Sequence, residues 1–342
     1  MRFDELFIAG VGSYLPKTVD VDEAVADGRY DAEEQAGSGQ LAVAVAGDGE
    51  TQPEMAALAG RVALERSGRR PDEVALLLHA VTGHNGLEGW NSAAYLQKRV
   101  LGGAGISFEI RQLSNGAIAS VELAGAYLAA SGLDAAIITS ADRFAEPAWD
   151  RWRSSWGLVF ADGASAAVLS RDGGFARVLS AVTVSDPDLE VLHRGSLPFT
   201  AAPDTGGYPI DFRARTLDSS YDIGFDEVSA RMATGLKSAV ARATEEAGVS
   251  VADARHCVVP HFGRELLHRE CLGVLGIDLA RTTWSWAAHI GHLGAADQFA
   301  GLTYLTEAGA LAPGDRVLLL GIGGGFNWTC VVLEITGHPS WS

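Results

Sequence analysis

The sequence predicts an α/β protein built from two similar halves. Along the first half of the 342 residues, short apolar strands alternate with alanine-rich helical segments, a pattern typical of an α/β architecture. The second half repeats much of that order. Gly68 corresponds to Gly248 and Asp134 to Asp315 at nearly the same offset, which indicates an internal duplication about half the chain long. Weak matches between common α/β units are the alternative explanation.

The predicted elements justify this division into halves. The first half reads as strand FIAGVGSYLP, helix MAALAGRVALERSG, strand VALLLHAVT, a helix after Ser114, and strands AAIITSADR and ASAAVLSRD. In the second half, helix MATGLKSAVARATEEAG precedes strand HCVVPHFG, and DQFAGLTYLTEAGALAPGDRVLLLGIGGG matches ASVELAGAYLAASGLDAAIITSAD. We therefore predict one half at residues 1–172 and the other at residues 173–342. Pseudo-twofold symmetry then places Ser114 and the GHLGAAD segment in equivalent strand-to-helix turns, close together.

Composition excludes several classes of protein. With 47% hydrophobic residues the chain can bury a large core, and we find neither a bilayer-length apolar run nor a signal peptide, so we expect a cytoplasmic protein. The net charge of −17 argues against broad binding to nucleic acids or membranes. The three cysteines, Cys257, Cys271 and Cys330, are not spaced as metal pairs or as a disulfide framework. We expect them in the core and predict no metal.

The segment LSNGAIASVELAG contains the first candidate site residue, Ser114. A serine before a helix commonly caps it by accepting a hydrogen bond from a free N–H group. The same position also suits a nucleophile, because free N–H groups and the helix dipole stabilise an alkoxide or oxyanion. A serine nucleophile needs a base, so the sequence leaves both interpretations open at this point.

Histidines that can serve as that base lie in the second half. His261 follows an apolar strand in CVVPHFG, and His289 and His292 lie in WAAHIGHLGAAD. Asp297 follows His292 by five residues and can accept from its imidazole N–H, as in other nucleophile–base–carboxylate sets. Each of these residues also has an ordinary structural explanation, and Asp297 suits the first turn of a helix.

The glycine-rich segment GIGGGFNW, from Gly321 to Trp328, is predicted as a loop after the strand RVLLL. Glycines permit close backbone approach, so the loop can offer an N–H to a reacting oxygen or let two elements pack. It lacks the glycine spacing of a dinucleotide fingerprint and the lysine of a phosphate loop. Ser114 has Gln112 where the nucleophile elbow of α/β-hydrolases requires glycine, which argues against that class.

Together, GVGSYLP, LSNGAIAS, FADGASAAVL, PHFG, GHLGAAD and GIGGGFNW resemble the ketoacyl-ACP synthase III branch of the thiolase superfamily over nearly the whole chain. The resemblance implies a homodimer of a duplicated, thiolase-like, five-layer αβαβα fold. It also places the nucleophile at Ser114, where the family has cysteine, and matches a histidine of the family with His261. His292 stands where the family motif has asparagine. The resemblance implies an oxyanion hole from the Ser114 N–H and a glycine of the last loop, Gly324 or alternatively Gly323.

Two departures from the family pattern point to an altered site. Ser114 replaces the family cysteine. His292 replaces the family asparagine, and Asp297 follows His292 by five residues. Because serine needs a base that a partly ionised cysteine does not, we predict a catalytic triad of Ser114, His292 and Asp297. His261 would polarise a carbonyl or position the acceptor.

The pattern is similar to acyltransferases of secondary metabolism, such as the starter-unit enzymes of anthracycline pathways. It implies transfer of a short acyl group from CoA or an acyl-carrier protein, through acyl-Ser114, to a hydroxyl or amine of a small molecule. Acyl-CoA or carrier phosphopantetheine is then the substrate, and no cofactor is expected. Decarboxylative condensation with a malonyl carrier protein is one alternative, in which His261 would stabilise the enolate. A non-catalytic homologue is the other.

The resemblance suggests further residues for the substrate site. Trp90 in EGWNSAAYL corresponds to the aromatic group that a partner subunit contributes to the acyl pocket, and its bulk implies a short acyl chain; a dimer-core tryptophan is the alternative. Arg151, Arg153 and Arg264 are candidates for contact with the donor phosphates, or else solvated surface arginines.

Overall fold

The structure, a computed structural model, describes residues 1–201, 207–339 and 341. Its strands are β1 (Phe7–Tyr14), β2 (Thr18–Asp20), β3 (Ala42–Ala44), β4 (Val74–Ala80), β5 (Ile106–Ile110), β6 (Ala135–Asp142), β7 (Gly163–Ser170), β8 (Ala176–Ser185), β9 (Ala254–Val258), β10 (Arg316–Gly323) and β11 (Asn327–Ile335). Its helices are α1 (Val21–Ala26), α2 (Ala32–Ser38), α3 (Gln52–Ser67), α4 (Ser92–Leu101), α5 (Gly116–Ser131), α6 (Val191–Arg194), α7 (Phe212–Ile223), α8 (Phe225–Ala247), α9 (Arg264–Leu267), α10 (Gly273–Leu275), α11 (Trp284–Ala287) and α12 (Asp297–Glu307).

The sheet order shows the duplication directly. Nine strands are hydrogen-bonded in the order β5-β4-β6-β7-β1-β8-β11-β10-β9, and the halves meet at the antiparallel pair β1 and β8. On both sides of this pair, the next two pairings outward are antiparallel and the one after them is parallel. In the second half the counterpart of β5 is reduced to a parallel bridge between Cys257 and Thr282. The predicted duplicated α/β fold is therefore confirmed, and residue 172 lies between β7 and β8.

Burial on alternate faces of the strands produces the five layers. One face of β4, β6 and β7 packs on α3 and α4, and one face of β8, β9, β10 and β11 packs on α8. The opposite faces of both halves enclose α5 and α12 in a common core. The five layers are therefore α3 with α4, the first-half strands, α5 with α12, the second-half strands, and α8. This layering arises because each strand buries side chains on both faces.

The inner helices carry glycine where they approach their neighbours most closely. A Cβ on Gly125 of α5 would lie 2.6 Å from Phe3, and one on Gly301 of α12 would lie 2.5 Å from Val258. Helix α5 follows a 3-10 turn at Leu113–Asn115, and α12 follows one at Gly294–Ala296. These equivalent turns contact each other, as the duplication predicts, and so the two halves jointly form one site.

Some predicted boundaries are wrong. The second-half helix begins at Phe225, before the predicted MATGLKS segment. The predicted glycine loop is largely strand: Gly321–Gly323 end β10, β11 begins at Asn327, and the turn is confined to residues 324–326. Backbone pairing across this hairpin outweighs the low strand preference of glycine.

Cys257, Cys271 and Cys330 are free and buried, as predicted. Burial raises the pKa of all three thiols, that of Cys257 to about 11, so they are unreactive core residues. Within the described part of the chain, no helix has both the length and the apolar character needed to cross a membrane.

Candidate active site

The turn between β5 and α5 presents Ser114. Leu113, just before it, has φ of 47°, and it is the only non-glycine residue with positive φ in the described ranges. This conformation is uncommon for a branched side chain and persists only where surrounding structure enforces it. Asn115, on the other side, is buried and donates from Nδ2 to Asn327 and to Thr329 Oγ1. Strain and buried hydrogen bonds therefore fix the turn that carries Ser114.

The Ser114 hydroxyl is directed at the second half of the molecule. Its Oγ lies 2.8 Å from Nε2 of His292. The N-cap positions of the 3-10 turn and of α5 are occupied by Gln112 and Asn115, so the interpretation of Ser114 as the N-cap residue is wrong. The hydroxyl is committed to the imidazole because the turn places it in front of α5, facing the equivalent turn before α12.

The backbone around His292 explains the GHLG motif. Gly291 and Gly294 have φ of 87° and 63°, values that glycine adopts without strain. A Cβ on Gly294 would lie 2.2 Å from Oδ2 of Asp142, at the end of β6. The buried Asp142 accepts from Ala295 N at 3.1 Å. The first half of the chain thus anchors the turn that carries the histidine.

Asp297, the first residue of α12, is completely buried and binds the imidazole from the other side. Its Oδ2 lies 2.6 Å from His292 Nδ1 and accepts from His261 N at 2.8 Å, and its Oδ1 accepts from Leu293 N at 2.8 Å. Burial raises the pKa of Asp297, but the electrostatic interactions with the His261 and His292 imidazoles and these hydrogen bonds outweigh burial and leave the pKa lowered. Asp297 is therefore an ionised carboxylate near neutral pH.

This carboxylate sets the tautomer of His292. An ionised carboxylate only accepts hydrogen bonds, so Nδ1 of His292 carries the proton that is donated to Asp297. In the neutral ring Nε2 is then the unprotonated nitrogen and accepts from the Ser114 hydroxyl. The rings of Phe160 and Phe262, with centroids 5.8 and 5.7 Å away, enclose the imidazole. The arrangement is that of a serine, its base and an orienting carboxylate.

The second imidazole, His261, shares the same carboxylate. Its Nδ1 lies 3.1 Å from Asp297 Oδ1 and 3.1 Å from the Gly291 carbonyl oxygen. Both atoms accept, so Nδ1 carries the proton. Burial lowers the pKa of His261, against the raising effect of Asp297, and the ring is neutral. Its Nε2 is a buried lone pair without a hydrogen-bond partner among the described residues.

The glycines of the β10–β11 hairpin pack against the Ser114 turn. A Cβ on Gly323 would lie 2.8 Å from Asn115 N, and one on Gly324 would lie 2.5 Å from Leu113 Cδ1. Larger residues would push the hairpin away from the nucleophile. The backbones of Gly323 and Gly324 are thus beside Ser114, and the choice between them as an oxyanion donor remains a prediction.

Other predicted residues lie outside this cluster. His289 is exposed. Trp90 lies in the loop before α4, with its ring centroid 5.5 Å from that of Tyr95, and its role in a partner's acyl pocket remains a prediction. Arg151 is mostly buried and paired with Asp162 at 3.1 Å, which makes it a structural residue rather than a free phosphate ligand.

Arg153 and Arg264 are exposed and remain candidates for binding donor phosphates. Arg153 donates to the Gly28 carbonyl and lines a cavity of about 370 Å³ together with Arg29 and Trp152. Arg264 donates to the Ala36 carbonyl at 3.2 Å.

Sequence reasoning missed two residues around the site. Asp142 accepts from the amides of Thr82 and Ala295, and burial raises its pKa to about 6 against the opposing effect of those bonds. His193 on α6 lies against Gly324. Neither Asp142 nor His193 belongs to a recognisable sequence motif, so the sequence gave no signal that they lie near the site.

The duplicated five-layer fold and the nucleophile turn between its halves define a thiolase-like protein. The profile of the family described as 3-oxoacyl-[acyl-carrier-protein] synthase III matches residues 108–187, and its C-terminal profile matches residues 244–335. The solved structure titled ChlB3, an acyltransferase, is 35% identical with a TM-score of 0.93, covering 99% of this chain and 100% of that one. The chain belongs to the ketoacyl-ACP synthase III family.

Two further relatives support the assignment. The β-ketoacyl-[acyl-carrier-protein] synthase III of Rhizobium meliloti is 27% identical over 332 residues, covering 96% of this chain and 98% of its own length. The solved 3-oxoacyl-(acyl carrier protein) synthase III of Pseudomonas aeruginosa is 25% identical with a TM-score of 0.77, covering 98% of this chain and 99% of that one. The family is one of enzymes that work on acyl thioesters.

Proposed function

We propose that the protein is an acyltransferase that moves a short acyl group through an acyl-Ser114 intermediate to a hydroxyl or amine. The observation that carries this proposal is the hydrogen-bonded series Ser114 Oγ, His292 and Asp297, with distances of 2.8 and 2.6 Å. A serine in place of the family cysteine is competent only with such a base. The similarity to ChlB3, titled an acyltransferase, agrees with this reaction class.

In the first step Ser114 Oγ attacks the carbonyl carbon of an acyl thioester from CoA or a carrier protein, and His292 Nε2 takes the hydroxyl proton. The amides of Ser114 and Gly324 hold the oxyanion. Collapse of the tetrahedral intermediate breaks the C–S bond, and His292 returns the proton to the leaving thiolate. Asp297 stabilises the transient imidazolium, because its carboxylate remains ionised.

In the second step the oxygen or nitrogen of the acyl acceptor attacks the carbonyl carbon of acyl-Ser114 and transfers its proton to His292. The bond between that carbon and Ser114 Oγ then breaks, and His292 returns the proton to Oγ, which regenerates the free serine. The Nε2 atom of His261, which has no partner in the part of the chain that the structure describes, is a hydrogen-bond acceptor in the neutral ring. The hydroxyl or amine that receives the acyl group has an O–H or N–H to donate to this nitrogen. His261 therefore suits a positioning role toward the acceptor, not the polarisation of a carbonyl, which requires a donor.

The same tautomer argues against decarboxylative condensation. An enolate oxygen needs a hydrogen-bond donor, and His261 Nε2 can donate only if the ring gains a second proton, which burial opposes. Transfer of the acyl group to a hydroxyl or amine does not require a second proton on His261. The two reactions therefore differ in the protonation state that they require of His261.

The decisive experiment is intact mass spectrometry of the protein with acetyl-, propionyl- and malonyl-CoA. We expect a stable acyl adduct on the wild-type chain, located to Ser114 by peptide mapping, and none on Ser114→Ala. The control Ser120→Ala removes a hydroxyl that is bonded to its own helix at Gly116 O and should leave the adduct unchanged.

The other two functions give different outcomes. Release of CO₂ from malonyl-CoA or a malonyl carrier protein, with formation of a C–C bond, would support condensation. An unmodified wild-type chain with all three donors and with the corresponding acyl-carrier proteins would support a non-catalytic role. Acylation of Ser114→Ala would show that another residue is the nucleophile.

A further inference from the structure

A third imidazole, His193, lies against the hairpin turn beside the nucleophile. A Cβ on Gly324 would lie 2.2 Å from His193 Nδ1 and 2.5 Å from Leu113 Cδ1. His193 and Leu113 therefore occupy the same side of Gly324, and Leu113 precedes Ser114 in the chain. Arg215 holds α6 in place by donating to the His193 carbonyl at 3.1 Å.

The ring of His193 is packed between aromatic side chains. Its centroid is 4.4 Å from that of Phe212 and 5.0 Å from that of Phe326. The Nδ1 atom is buried and has no hydrogen-bond partner among the described residues, but the residue as a whole is partly exposed. Nε2 is not such a buried, unpartnered atom, so we infer that the accessible part of the ring is the edge that carries Nε2.

Packing alone does not account for a histidine at this position. A buried polar atom without a partner destabilises the fold, whereas a phenylalanine would fill the same space without that cost. Burial and the charge of Arg215 lower the pKa of His193 to about 4, so the ring is neutral. Nδ1 lies against Gly324 and Leu113 and makes no hydrogen bond with any described residue, so the proton is better placed on Nε2.

We propose that His193 is a substrate-binding residue whose Nε2–H donates a hydrogen bond to an oxygen of the acyl group on the Gly324 side of the site. This proposal rests on the proposed acyl transfer at Ser114. The acyl oxygen is either the thioester carbonyl oxygen, which becomes the oxyanion beside Gly324, or a polar oxygen farther along the acyl chain, such as a carboxylate.

The test compares His193→Phe, which keeps the aromatic packing, with His193→Gln, which keeps an N–H donor. Acyl-Ser114 formation is timed by mass spectrometry with acetyl-CoA and with malonyl-CoA. We expect His193→Phe to slow acyl-Ser114 formation by about tenfold or more, since one hydrogen bond to a charged oxygen, or to an oxygen on which charge develops, is lost. His193→Gln should recover part of the rate. The melting temperature of His193→Phe should not fall, since an unpaired polar atom is removed.

Comparison of acetyl-CoA with malonyl-CoA distinguishes the carbonyl oxygen from the distal carboxylate oxygen as the partner of His193. A loss with both acetyl- and malonyl-CoA assigns the contact to the carbonyl oxygen, and a loss with malonyl-CoA alone assigns it to the distal carboxylate. The matched control is His289→Phe, an exposed histidine in the same half of the chain, which should acylate like the wild type.

A binding measurement separates this proposal from the proposed function. In the Ser114→Ala background, which forms no adduct, titration calorimetry compares the affinities for CoA, acetyl-CoA and malonyl-CoA with and without His193→Phe. We expect the added substitution to lower the affinity for at least one acyl-CoA relative to CoA itself. Unchanged acylation rates and unchanged relative affinities in His193→Phe would together overturn the assignment, whereas an unacylated wild type contradicts only the proposed reaction.

Discussion

Asp297 Oδ2 lies 2.6 Å from His292 Nδ1, and this contact joins the first turn of α12 to the loop before it. The carboxylate accepts from two backbone amides as well. It therefore holds the ring and its tautomer, so that Nε2 faces Ser114 from the equivalent turn of the other half.

Replacing this carboxylate with an amide tests its orienting role. We expect Asp297→Asn to slow acyl-Ser114 formation about 10²–10⁴-fold, because an amide cannot stabilise the imidazolium or enforce the Nδ1–H tautomer. Stopped-flow detection of released CoA measures the rate, and circular dichroism monitors folding. A folded variant that acylates at the wild-type rate would show that Asp297 is only a structural residue.

Exchange of the nucleophile reveals how much the base contributes. In the wild type, His292→Ala should slow acylation about 10²–10⁴-fold. In the Ser114→Cys background, His292→Ala should slow acylation less than about tenfold, because a few per cent of a thiol is already ionised near neutral pH. A double-mutant cycle of acylation rates gives the coupling, and equal losses in both backgrounds would contradict a base role for His292.

The hairpin glycines are predicted to tolerate no side chain. A Cβ on Gly321 would lie 2.2 Å from Asn115 Oδ1 and 2.3 Å from Ile118 Cγ2, both of them buried. We expect Gly321→Ala to destabilise the fold by about 1–3 kcal/mol and to slow acylation by displacing the Ser114 turn. Chemical denaturation measures the change, with Gly49→Ala, where nothing lies within 4 Å, as a near-neutral control.

Buried histidines make the fold sensitive to acid. Burial lowers the pKa of His79 to about 4, so between pH 6.5 and 4 the unfolded chain binds a proton that the folded one does not. Stability from this residue is complete above pH 6.5 and falls as the pH drops toward 4, by about 3 kcal/mol in all. The difference in melting temperature between pH 7 and pH 4.5 should be smaller in His79→Leu than in the wild type, and unchanged in His289→Leu, which alters an exposed residue.

The free edge of the sheet predicts the assembly. Strand β5 ends the sheet order, and Phe108 on it is 53% exposed. An apolar edge strand left open is a pairing surface, which agrees with the homodimer that the family resemblance implies. We expect Phe108→Glu to convert a dimer to a monomer in sedimentation velocity, whereas Leu41→Glu, 50% exposed elsewhere, should remain dimeric. A wild-type monomer would contradict the prediction.

Local patterns carried most of the fold. Apolar strands, alanine-rich helices and repeated glycine stops such as Gly68 and Gly248 predicted the duplication, and both residues end their helices in the left-handed conformation. Boundaries failed where pairing across the sheet outweighs local preference, as in Gly321–Gly323. These three residues, two of them glycine, read as a loop along the chain, but the hairpin with β11 makes them strand.

The sequence by itself determined the family, the repeat and the residue types Ser114, His292 and Asp297, because motifs and offsets are properties of chain order. Only the tertiary structure decided that Asp297 contacts two imidazoles, that Nε2 of His261 has no partner among the described residues, and that His193 lies against Gly324. Those relationships depend on side chains from distant segments meeting in a buried site, where burial and hydrogen bonding fix which nitrogen carries the proton.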